Sequence, residues 1–153
     1  MIGLDTSILV AQAIAEHPQH EASQQWLDEE IARNQTFAIT SGILAEFIHI
    51  VTDGRRFETP LAMSEALERA VFWSEAREVA LLVADEAVST RWLKWLADFQ
   101  LGRKRLLDTL IAATWHAAGI SEICTLNPRD FQVFDVFRIH SIGAARGAGP
   151  WDR

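Results

Sequence analysis

The chain has 153 residues, of which 49% are hydrophobic, and a formal net charge of −7. That size and apolar content predict one domain with a core that needs no staples, and the acidic balance excludes a general nucleic-acid coat protein, which would carry a basic face. It leaves room for a nucleic-acid enzyme with acidic metal ligands and a small basic rim.

The chain opens on MIGLDTSILV, in which the apolar Ile2 and Leu4 stop at Asp5, Thr6-Ser7 follows, and Ile8-Leu9-Val10 resumes the apolar run. This reads as buried strand, polar turn and helix, and a strand without alternation suits the centre of a parallel sheet. Asp5 then lies at the carboxyl end of a central strand, where open α/β sheets bind ligands. The competing reading is that Asp5 or Thr6 caps the next helix.

His17-Pro18 ends the first helix near Ala15. A second helix is predicted from His20 to Arg33, with Ala22, Trp26, Leu27 and Ile31 inward. Thr36 to Thr40 is β-rich, and Thr40-Ser41 can cap a helix from Gly42 to Thr52 that buries Ile43, Leu44, Phe47, Ile48 and Val51. Glu46 lies off that apolar face. Asp53-Gly54-Arg55-Arg56 is a turn presenting two cations. Residues 62 to 75 are predicted helical, with Ala66, Leu67, Ala70 and Val71 inward, and Val79 to Val83 is an apolar strand candidate. From Glu86 to Gln100 a helix carries Val88, Trp92, Trp95, Leu96 and Phe99, and Gly102 follows it.

Arg103-Lys104-Arg105-Leu106-Leu107-Asp108 leads into a helix from Thr109 to Ala118, with Asp108 in its first turn. Leu107, Leu110, Ile111 and Ala118 are predicted to face the core, Thr114 to bond back to a carbonyl of the preceding turn, and Gly119 to end the helix. Two last strands, Glu122 to Thr125 and Phe137 to Ser141, flank Leu126-Asn127-Pro128-Arg129-Asp130-Phe131. Cys124 is the only cysteine, so no intrachain disulfide is available, and a packed thiol in a reducing compartment is expected. The Gly- and Ala-rich residues 143 to 153 read as a loosely ordered tail beyond a domain of residues 1–142. With no basic-then-apolar leader and no apolar run near the roughly 20 residues of a spanning helix, a cytoplasmic protein without membrane contact is expected.

Strands alternating with helices predict an α/β three-layer sandwich around a mainly parallel sheet of about five strands. Asp5, Glu46 and Asp108 are candidate ligands of a hard divalent cation, Mg2+ or Mn2+, which prefers carboxylate and water oxygens. The alternative is three independent acids placed at helix starts for the macrodipole.

The opening MIGLDTSILV, the helix motif LAEFIHIV, the motif LLDTLIAATWHAAG and the closing CTLNPRDF, in that order and over nearly the whole chain to Ile142, resemble a PIN-domain ribonuclease, and more narrowly a VapC-type toxin of a bacterial toxin-antitoxin pair. The resemblance implies that Asp5, Glu46 and Asp108 are the catalytic and metal-binding acids, supported by Thr6 and Ser7. Many family members carry a fourth acid where this chain has Asn127, so Asn127 or Asp130 is the candidate for a fourth oxygen. Arg103, Lys104, Arg105 and Arg129 are candidate RNA phosphate contacts, against the reading of a solvated loop. The implied partners are RNA, a cognate antitoxin and a second copy of the chain.

Two other classes compete. An aspartate after a first strand also serves haloacid-dehalogenase-like phosphatases, but their pattern has a second Asp two residues on, where this chain has Ser7. A PIN-like module kept only for binding would be expected to lack one of the three acids, and all three are present.

Overall fold

A computed structural model describes residues 1–142, and the predicted tail lies outside the described residues. In chain order the elements are β1 (Ile2–Leu4), α1 (Thr6–Ala13), α2 (His20–Ala32), β2 (Phe37–Thr40), α3 (Ser41–Val51), α4 (Met63–Glu75), β3 (Val79–Leu82), α5 (Glu86–Asp98), a 3-10 turn (Arg103–Arg105), α6 (Leu106–Ala117), β4 (Glu122–Cys124), α7 (Arg129–Gln132) and β5 (Arg138–His140). The strands form one five-stranded sheet in the order β3-β2-β1-β4-β5, parallel at every pairing. The chain thus builds an α/β sandwich around a parallel sheet.

Every residue of β1 and β2 is buried, as central parallel strands covered on both faces require. The register pairs Leu4 of β1 with Cys124 of β4. The residues that follow those two, Asp5 and Thr125, therefore leave the sheet side by side at its carboxyl edge. Cys124 is a free, fully buried thiol whose pKa burial pushes up.

Gly3 fixes the approach of α6 to this edge. A Cβ at Gly3 would stand 2.7 Å from the indole of Trp115, so only a glycine lets that ring lie flat against β1. Trp115 is completely buried and meets Phe131 and Phe137 at ring-centroid distances of 5.5 and 6.3 Å. Gly42 plays a milder version of the same part between α3 and α6, with Leu107 at 3.1 Å from its added Cβ. Gly119, with φ of 76°, ends α6 as predicted, and the Thr114 hydroxyl donates to the Leu110 carbonyl at 2.8 Å.

Some helix faces differ from the periodic reading. α4 packs through Ala66, Ala70 and Trp73, leaving Leu67 and Val71 exposed. Its small residues bring the backbone close, and the larger neighbours fall on the outer stripe. Ile31 of α2 is also exposed, while Ser23 is fully buried. In α6, Ile111, Ala112, Ala113 and Trp115 are buried together, and Ala118 is exposed. β3 is an edge strand, so its apolar Leu81 is exposed. Among the described residues no helix is long and apolar enough to cross a membrane.

Candidate functional site

Asp5 occupies the residue before α1, yet its side chain makes no capping hydrogen bond to that helix. Thr40 shows what a cap looks like here: its hydroxyl accepts from the Ile43 N–H at the start of α3. The Asp5 carboxylate instead receives two hydroxyls on one oxygen. Ser7 Oγ donates to Oδ2 at 2.6 Å and Thr125 Oγ1 donates to the same atom at 2.7 Å. Those hydroxyls are themselves fixed from β4 onward, because the Leu126 N–H donates to Ser7 Oγ at 3.0 Å and the Asn127 N–H to Thr125 Oγ1 at 2.9 Å. Asp5 is 5% exposed. Its burial raises the carboxyl pKa, and the Ser7 and Thr125 hydroxyls and nearby backbone N–H groups oppose that rise.

Glu46 stands in the second turn of α3 and is half-buried. Thr6 Oγ1 donates to its Oε2 at 2.5 Å, tying α3 to the start of α1. Burial raises the Glu46 pKa; the Thr6 hydroxyl lowers it, the Asp5 charge raises it, and Arg56 and His49 lower it. The sequence offered Arg55 and Arg56 only as turn cations. Arg56 reaches the electrostatic neighbourhood of Glu46, while Arg55 is ion-paired with Asp53 at 3.1 Å.

Asp108 opens α6 with its side chain 23% exposed. Its pKa is raised to about 7, first by burial and then by the charges of Asp5, Asp130 and Glu46, with Arg105 acting in the opposite direction. Asp108 is thereby within electrostatic reach of both other acids, a placement the sequence left underived. The Arg105 guanidinium lies between α6 and α7: Nε is 3.3 Å from Asp108 Oδ2, and Nη1 is 3.7 Å from Asp130 Oδ1. Nη2 donates to the Asp130 backbone carbonyl. Arg103, Lys104 and Arg129 are exposed, and Asn127 is half-buried.

Sequence reasoning missed Thr125 as a site residue. The signal was present, since it is the polar residue that closes a strand predicted to lie in the same sheet as β1. His116 is half-buried and stacks on Trp95 at 5.4 Å between ring centroids, where burial and then Arg91 lower its pKa.

The donor set consists of carboxylate and hydroxyl oxygens, the chemistry a hard divalent cation takes. Raised carboxyl pKa values at Glu46 and Asp108, caused in part by mutual repulsion, are what such a cation would relieve. As they stand, the acids turn to protein donors: Asp5 to Ser7 and Thr125, Glu46 to Thr6, Asp108 to Arg105. Among the described residues no three His, Cys, Asp or Glu side chains are gathered closely enough to enclose an ion. The chemistry fits a metal, and closing around one would require the three carboxylates to draw closer together.

The PIN domain family model matches residues 2–136. Ribonuclease VapC24 of Mycobacterium tuberculosis is 27% identical over 139 residues, covering 91% of this chain and 94% of the relative. Ribonuclease VapC29 of the same organism is 30% identical over 117 residues, covering 71% of this chain and 86% of the relative. Among solved structures, VapBC2 from Rickettsia felis, bound to a DNA fragment from their promoter, superposes with a TM-score of 0.65 at 21% identity, covering 94% of this chain and 100% of that one.

Proposed function

The chain belongs to the PIN domain family, and on that premise we propose that it is a metal-dependent endoribonuclease, the toxin of a toxin-antitoxin pair, with residues 1–142 as its one domain. The observation that carries this reading is the meeting of Asp5, Glu46 and Asp108, from three separate elements, within electrostatic reach at the carboxyl edge of the sheet. The relatives named as ribonucleases support the reaction class. The fold neighbour solved as a VapBC pair supports an antitoxin partner, which would silence the enzyme by covering the acidic groove.

In the proposed reaction a water oxygen bonds to a phosphodiester phosphorus as the bond to the leaving ribose oxygen breaks, and that oxygen takes up the proton. Asp5, Glu46 and Asp108 would hold Mg2+ or Mn2+, with Asn127 or Asp130 supplying a further oxygen. When bound, the metal supplies Lewis acidity, easing deprotonation of the attacking water and compensating charge on the leaving oxygen. Ser7 and Thr125 orient the Asp5 carboxylate through their two hydrogen bonds to Oδ2. Thr6 performs the corresponding task for Glu46. The exposed Arg103, Lys104 and Arg129 would take backbone phosphates, giving affinity without sequence preference. A homodimer is part of the same proposal.

Cleavage of RNA by the purified protein, with Mg2+ or with a chelator, tests this reading. Asp5→Asn and Asp108→Asn should each lower the cleavage rate at least about a thousandfold, the equivalent of about 4 kcal/mol of transition-state stabilisation, and the folded state should survive. Full activity in either variant removes the catalytic assignment.

A further inference from the structure

The three consecutive basic residues ahead of α6 do not behave alike. Arg103 and Lys104 are exposed, but Arg105 turns inward over the first turn of α6, which follows it, with its side chain 22% exposed. Its backbone is pinned there, because the Thr109 hydroxyl donates to the Arg105 carbonyl at 2.6 Å. One end of the guanidinium has a hydrogen bond: Nη2 donates to the Asp130 carbonyl, and Nη1 faces the Asp130 carboxylate at 3.7 Å. The other end has none. Nε lies 3.3 Å from Asp108 Oδ2, yet it is buried and its N–H has no aligned acceptor. The contact with Asp108 is therefore a charge-charge contact without a good hydrogen bond, and a buried donor left in that condition is costly.

We propose that Arg105 is a resident counter-cation of the acidic site, which neutralises Asp108 when no metal is bound and is displaced from it when a divalent cation binds. The inference rests on the preceding reading that Asp108 is a metal ligand. The charges of Asp5, Glu46 and Asp130 each repel that of Asp108, and a cation beside Asp108 offsets that repulsion. An arginine serves, because its guanidinium stays protonated at any working pH and its fork spans two acceptors. A divalent cation at Asp108 offers more charge at shorter range, and the Nε contact it replaces carries no aligned hydrogen bond. Arg105 then stays attached to Asp130 by the other end of its fork, so displacement requires rotation of the side chain and no movement of α6. The affinity for metal is consequently set by an exchange of cations, below the level the carboxylates alone would give.

Calorimetric titration of Mg2+ into the full-length protein tests this. Arg105→Gln should bind Mg2+ about tenfold more tightly than the natural chain, within the usual range for two sites that compete. Arg105→Lys, which keeps the charge and loses the fork, should fall between the two. Asp108→Asn should bind markedly less tightly. In parallel, the Arg105 Nε–H resonance of the natural protein should shift and exchange faster with solvent as Mg2+ is added, saturating at the concentration found by calorimetry. Equal affinities in Arg105→Gln and the natural chain, alongside a loss in Asp108→Asn, overturn the counter-cation role and leave Asp108 a ligand. Unchanged affinity in Asp108→Asn overturns both. Should Arg105→Gln fail to fold, an Nε–H resonance that stays unmoved at saturating Mg2+ overturns the proposal on the natural chain alone.

Discussion

Asp5 and Asp108 present the same carboxyl group at the same edge of the sheet, and the protein holds them by different means. Asp5 is 5% exposed, and the two hydroxyls that fix it are bonded to the backbone beyond β4. Asp108 is 23% exposed at the side chain and is held by one arginine whose facing N–H is poorly aligned. The first side is an anchor built into the central strands, and the second, in the exchange proposed above, is an arm that changes its partner. In the proposed metal site, Asp5 would stay fixed as a ligand while Asp108 adapts.

The largest effect on stability should come from loosening the anchor. Thr125→Val removes the donor to Asp5 and the acceptor of the Asn127 N–H inside the protein, and a lost buried bond to a charged group costs about 2–3 kcal/mol. Denaturant unfolding of the metal-free protein measures this. A loss below about 0.5 kcal/mol, the level of an ordinary surface change, would mean that the two sides are equally soft.

A smaller effect, of opposite sign, should follow at the arm. The folded pKa of Asp108 is about 7, against 3.8 in its ordinary state. A carboxyl raised in the folded state gives its full stability below pH 3.8, and that stability is lost as pH rises through about 7. Asp108→Asn abolishes this loss, so the metal-free variant should gain on the natural chain between those limits and hold the gain above them. The full shift would amount to about 4 kcal/mol at 1.36 per pH unit. Solvent screening and the loss of the Arg105 pair reduce the expectation to about 1–2 kcal/mol. Thermal melts at pH 4 and pH 8 should show the variants converging at the lower value and separating at the higher; a constant difference would contradict the assignment.

The smallest effect concerns the exposed rim, which should matter to RNA and not to the fold. Replacing Arg103, Lys104 and Arg129 together by Ala should lower the log-log salt slope of RNA binding by about 0.7 for each phosphate that the protein ceases to neutralise, with the melting temperature unchanged. An unaltered slope would return these residues to a solvated loop.

Much of this comparison was legible in the chain. Ile2 and Leu4 stopping at Asp5 predicted a buried strand with an acid at its carboxyl end, and β1 is that strand. Thr40 predicted the cap of α3 and supplies it. What escaped the sequence depended on partners far along the chain. Thr125 reaches Asp5 only because β4 lies beside β1 in the register Leu4 to Cys124. Arg105 looked like its two neighbours until the fold brought Asp130 to it across 25 residues. Leu67 and Val71 satisfied helical periodicity, but periodicity does not say which stripe meets α3 and β3, and Ala66, Ala70 and Trp73 occupy that contact. The short α7 was missed because four residues carry no period.

A crystal of the protein soaked in Mn2+ and measured at the manganese absorption edge would show whether the three acids hold a cation and whether Arg105 gives way to it. An anomalous peak within about 2.3 Å of oxygens from Asp5, Glu46 and Asp108, close to the usual reach of a hard divalent cation, with Asp5 unmoved on Ser7 and Thr125 and the Arg105 guanidinium turned away from Asp108, is the result the account predicts. Manganese bound elsewhere, or bound at Asp5 while Asp108 remains on Arg105, would contradict it.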